Sequence, residues 1–173
     1  MNRLSTRRFT LTATAVTALA ASLALTGPAV AVAPASATAS YDCDAAGSGA
    51  ITLTAADSGG VKTVKLDSTA IVAQFPYAAN SVTTTLKLKK ASGGEAQFSG
   101  AVHPAATTGA PLSFGPLPLS SGSLATGDVT DSTVLSGTPS ASNWSLRFVV
   151  TNAGGTFTSY CTATSAQSSA FTW

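Results

Sequence analysis

The stretch "SVTTTLKLKKASGGEAQFSGAV" (81–102) decides the fold class. Its first half alternates strictly, with Val82, Thr84, Leu86 and Leu88 on one face and Thr83, Thr85, Lys87 and Lys89 on the other. A two-residue period belongs to a β-strand with one buried face, whereas a helix repeats every 3.6 residues. "ASGG" (91–94) interrupts the pattern, which resumes with Ala96, Phe98, Gly100 and Val102 facing inward. Two such runs joined by glycines able to take positive φ make a β-hairpin.

The same unit recurs on either side. "AITLTA" (50–55) and "VKTVKL" (61–66) flank "DSGG", with Ile51 and Leu53 expected inside. "NWSLRFVVT" (143–151) and "TFTSYCTA" (156–163) flank "NAGG", with Trp144, Leu146, Phe148 and Val150 on one inward face and Phe157, Ser159, Cys161 and Ala163 on the other. The turns are too irregularly spaced for a repeat array. From His103 to Asn143 the pattern loosens. Four prolines in 103–121 argue against a central strand, so edge segments and loops are expected there, with one or two short strands around Leu124–Leu135. The expected architecture is all-β: an immunoglobulin-like sandwich of about seven to nine antiparallel strands. The immunoglobulin family itself does not fit, because Trp144 precedes the second cysteine by 17 residues instead of following the first by a short interval.

The N-terminal 39 residues read as a cleaved export signal. Arg3, Arg7 and Arg8 precede an apolar run from Phe9 to about Leu25, then Gly27-Pro28 and the A-x-A triplet Ala37-Thr38-Ala39. Cleavage after Ala33 would put Pro34 beside the scissile bond, so Ser40 is the expected mature start, and 40–173 forms one domain. "STRRFTL" is similar to a twin-arginine motif, and the leader suits that route or general secretion. No transmembrane segment is expected in the mature form, because the apolar run is diluted by threonines and has no stop-transfer flank.

Removing the leader leaves six basic residues against seven acidic ones, a net charge of minus one instead of plus two. This excludes a reading based on nucleic acid or anionic membrane. The two cysteines, Cys43 and Cys161, lie in an exported chain with no C-x-x-C spacing, so they read as a structural disulfide.

"Y-x-C" just after the leader (Tyr41-Asp42-Cys43), the Pro/Leu/Ser-rich "APLSFGPLPLSSG" and the terminal Cys161-Thr162 together make the chain similar to an uncharacterised family of secreted actinobacterial β-sandwich proteins. The resemblance implies a fold and an extracellular compartment, and it supplies no catalytic residues.

Chemistry is sparse. His103 is the single histidine and the only candidate base for a triad, no serine has the flanking glycines of a nucleophile elbow, and a loop histidine is usually solvated. Zinc lacks ligands once the cysteines pair. Asp42/Asp44 and Asp128/Asp131 read as turn formers without a calcium-loop spacing, and a sole glutamate does not suit a glycosidase. No catalytic residue, metal or cofactor is expected. "LPLSSG" (117–122) lacks what a sortase signal needs. Lys87, Lys89 and Lys90 are the one charge cluster, either contacting an anionic envelope polymer or guarding an edge strand. Phe171 and Trp173 alternate at the C-terminus, either docked in the core or exposed to sugars or a partner. The expected function is non-catalytic surface contact by a secreted, wall-associated module that binds envelope polymer or another secreted protein. The alternative is a small inhibitor or effector that presents residues 103–122 to a partner enzyme.

Overall fold

A computed structural model describes residues 31–152 and 155–173. The leader's arginines and apolar run, and Ala153-Gly154 of the third turn, lie outside the described residues. Among the described residues there are ten strands: β1 (Ser36–Asp42), β2 (Ser48–Ser58), β3 (Val61–Val72), β4 (Val82–Lys90), β5 (Glu95–Gly100), β6 (Pro111–Ser121), β7 (Val129–Ser132), β8 (Leu146–Asn152), β9 (Gly155–Ala163) and β10 (Phe171–Thr172). The three hairpins expected from the Gly-Gly turns are all present, as β2–β3, β4–β5 and β8–β9.

All strand pairings are antiparallel, and the disulfide Cys43–Cys161 fastens the end of β1 to β9. The sheet does not divide into the two layers of the expected immunoglobulin-like sandwich. Its order β4-β5-β6-β3-β2-β1-β9-β8 returns to β4, because Val82–Leu86 of β4 pair with β8, and eight strands close into a barrel. The far half of β4, Leu88–Lys90, pairs instead with β7, which shares one column with β8 and is flanked by β10. Alternation predicts an inward face for either architecture. Closure depends on curling, and register shifts in the β3–β6 and β5–β6 ladders bend the long strands enough to bring the edges together.

The proline-rich middle departs most from expectation. Pro111–Ser121 is a central strand, paired with β3 on one side and β5 on the other. Pro111, Pro116 and Pro118 are exposed on the outer face, while Leu112, Phe114 and Leu117 point into the core. The three-residue step from Phe114 to Leu117 is a bulge, where the missing N–H of proline breaks no regular ladder. Gly115 is required there: its φ is +108°, and a Cβ would stand 2.8 Å from the Val64 carbonyl oxygen.

The core is the barrel interior, built from Ile51, Leu53, Val64, Leu66, Leu86, Leu88, Phe98 and Leu146. The outer face carries threonines, serines and lysines, the reverse of a membrane-spanning barrel, which turns an apolar band to lipid. No helix among the described residues is long and apolar enough to cross a membrane.

Candidate functional site

The two ends of the barrel differ. At the end carrying the β2–β3 and β4–β5 turns, the C-terminal tail forms a plug. Phe171 is wholly buried and Trp173 is 1 % exposed. Trp173 stacks on Phe98 at 5.3 Å, and its indole N–H donates to Thr130 Oγ1 at 2.8 Å. Both rings are therefore docked in the core, the first of the two arrangements expected for them. Above the Trp173 ring lies the ammonium of Lys62, which is ion-paired with Asp57, and both side chains are nearly buried. The Lys62 hydrogen bond holds the Asp57 carboxyl below its ordinary pKa. Tyr41 is fully buried, with its hydroxyl 3.3 Å from Ser132 Oγ, and burial pushes its phenol up to about 12.

The opposite end is open. Here β3 and β8 finish and β4, β6 and β9 begin, so the rim is assembled from segments far apart in the sequence. Phe75, 38 % exposed, and Phe157, 51 % exposed, stand on the rim with ring centroids 6.4 Å apart. Phe157 keeps the inward phase expected for β9, but it lies beyond the rim and so is not enclosed. The rings cap an apolar cleft of about 50 Å³ whose floor is Leu112, Phe114, Phe148 and Val150, with Gln74 and Ser159 at its edge. That is far below the several hundred Å³ of an enclosed small-molecule site. The mouth can receive the edge of a ring or a side chain, and it cannot swallow a ligand.

His103 lies beneath this rim and is not the solvated loop residue expected; it is 4 % exposed. Its Nε2 accepts from the Val82 N–H at 2.8 Å and its Nδ1 donates to the Pro104 carbonyl at 2.7 Å. The ring packs edge-on to Tyr77 and tilted against Phe114, each at 5.1 Å. With both nitrogens engaged it holds the 78–82 and 103–106 segments together and has no lone pair left for a substrate. Ala106 pairs with Tyr77, so residues 103–122 do not form one long loop: a short, pinned segment ends where β6 begins.

The lysine cluster is dispersed. Lys87 sits 3.9 Å from the Trp144 ring centroid and 4.0 Å from Glu95, while Lys90 pairs with Asp128 at 3.1 Å and Lys89 is exposed. Trp144 is not a core residue: it lies before the start of β8, on the outer face between Lys87 and Arg147. Asp42 and Asp128 form turns, Asp42 accepting from the Asp44 N–H and the Ser48 hydroxyl and Asp128 from the Ala125 N–H, whereas Asp131 lies in β7 and accepts from the Gln167 N–H. Among the described residues no three His, Cys, Asp or Glu side chains group as metal ligands. A wider, shallow depression of about 740 Å³ beside the β1–β9 seam is lined by Asp42, Leu135, Thr138, Thr162 and Thr164, and is open to solvent. Compared with known proteins, the chain matches no family model, no curated protein and no solved structure.

Sequence reasoning missed the mouth because Phe75 sits in an irregular crossing between strands. The usable signal was Phe157, an inward-phase aromatic ring two residues beyond a Gly-Gly turn.

Proposed function

We propose that this is a secreted, non-catalytic module that acts by surface contact, gripping a sugar ring of a cell-envelope polymer at the aromatic mouth of the barrel. The observation that carries the reading is the Phe75–Phe157 pair, two large rings left exposed over an apolar cleft at the one end of the barrel that the tail does not plug. Sugar rings present apolar C–H faces that stack on aromatic side chains, with hydroxyls at their edges. Gln74 and Ser159 at the cleft margin offer partners for those hydroxyls. The engagement of both His103 nitrogens supports a contact role over general-base chemistry. The disulfide suits an oxidising, extracellular compartment. Contact through the lysines is less well supported, because Lys62, Lys65, Lys87 and Lys90 each face a carboxylate.

The test is capture from culture supernatant and cell-wall fractions with wild-type protein and with the Phe75→Ser/Phe157→Ser double variant. Wall polymer should co-purify with the wild type and fall at least tenfold with the variant. Equal capture by both overturns the mouth as the contact site, and a single dominant enzyme in the eluate favours the inhibitor alternative.

A further inference from the structure

The expected cleavage between Ala39 and Ser40 falls inside β1. Four of the seven β1–β2 register pairs, Ser36–Thr54 through Ala39–Ile51, lie on the leader side of that cut. Ala37 and Ala39 are each 3 % exposed, and Val32 is 6 % exposed within the core. The backbone beyond β1 also closes the plugged half of the barrel. Ala33 and Thr172 exchange N–H···O bonds at 3.0 and 2.7 Å, Thr38 receives a bond from the Ser168 N–H at 2.7 Å, and the Ala55 N–H donates to the Ala35 carbonyl at 2.9 Å. Residues 32–39 thus form the seam between β2 and the C-terminal segment that carries Phe171 and Trp173. Removing them leaves Ile51–Thr54 of β2 as an open edge with unpaired backbone groups.

An export signal ends in a small-residue triplet soon after its apolar region. Ala29-Val30-Ala31 is such a triplet. It follows the helix breakers Gly27-Pro28 directly, whereas Ala37-Thr38-Ala39 lies about ten residues beyond them. Among the described residues, Ala31 is exposed and Val32 is buried in the core. The intervening Ala31-Val32-Ala33 triplet is followed by Pro34, which disfavours cleavage.

We infer that the leader is cut after Ala31 and that the mature protein begins at Val32. The inference rests on the export reading proposed above. Water adds across the Ala31–Val32 amide in the site of the cell's signal peptidase, leaving a carboxyl group on Ala31 and a free amine on Val32. The residues from Val32 to Ala39 then belong to the barrel.

N-terminal sequencing and intact mass of the protein released into culture medium test this directly. A chain starting at Val32 supports the inference. A released chain starting at Thr38 or Ser40 overturns it while leaving export intact, and an uncut chain retained by the cells overturns the export reading as well. The exposed-site variant Ala31→Tyr should lower the yield of the Val32 product at least tenfold, and an unchanged yield counts against the cut. As a check on the structural reason, a chain made to start at Ser40 should melt at least about 10 °C below one starting at Val32, and equal melting temperatures would refute the seam.

Discussion

Trp173→Ala should be among the most damaging substitutions in the molecule, although it alters the last residue of the chain. The indole is 1 % exposed, stacked on Phe98 and hydrogen-bonded to Thr130, which is itself wholly buried. Replacing a buried Trp by Ala typically costs about 3–5 kcal/mol through lost transfer energy and the cavity left behind. The Thr130 hydroxyl loses its donor partner in a dry site, which adds about 1 kcal/mol or more. A loss of about 4–6 kcal/mol is a large share of the 5–15 kcal/mol that holds a typical domain folded. For a domain of this size it corresponds to a melting temperature roughly 12–20 °C lower. Trp173→Phe keeps most of the ring and forfeits the N–H donor, so it should cost only about 1–2 kcal/mol. Urea unfolding followed by far-ultraviolet circular dichroism reads both. A loss below about 1 kcal/mol for Trp173→Ala would refute the plugged end, because it would mean that the tail lies free in solution.

Other consequences follow from the same structure. Reducing the Cys43–Cys161 bond, or replacing both cysteines by Ser, should cost about 2–4 kcal/mol in thermal unfolding, since the bond closes a loop of 118 residues; thiol titration of the unreduced protein should find no free thiol. Tyr41 has its phenol pKa raised by burial from 10 to about 12. The unfolded chain therefore ionises first. The contribution of Tyr41 is complete below pH 10 and falls by about 2–3 kcal/mol as pH approaches 12, an alkaline slope that Tyr41→Phe should flatten. His103→Ala should leave wall-polymer capture within about twofold once the protein is folded, but should cost about 2–3 kcal/mol of stability, because the Val82 N–H is left unpaired in the core. A hundredfold loss of a biological effect by a folded His103 variant would contradict the non-catalytic reading.

The three hairpins were legible because period-two alternation and Gly-Gly turns are local signals, carried by residues that touch one another. The disulfide was legible from count and spacing. Closure was not, since the same inward alternation serves a sandwich or a barrel and only the meeting of β4 with β8 distinguishes them. Pro111, Pro116 and Pro118 misled because proline is excluded only where the ladder needs its N–H, and here a bulge and an outward-facing row accommodate all three. Trp144 was misplaced for a related reason: its phase fits the inward face, yet β8 starts two residues later. His103 reads as a loop residue in the sequence, and its burial depends on Tyr77, Val82 and Phe114, three segments brought together only by the fold.

The most direct test of the proposed contact is ¹³C-edited aromatic NMR of the folded protein titrated with soluble wall polysaccharide from the producing cells. The Phe75 and Phe157 ring signals should shift or broaden together with Tyr77, while Trp173 and Phe98 at the plugged end stay fixed. Shifts centred on Trp144, or mouth signals that do not move at saturating polymer, would contradict the claim that this barrel works through its aromatic mouth.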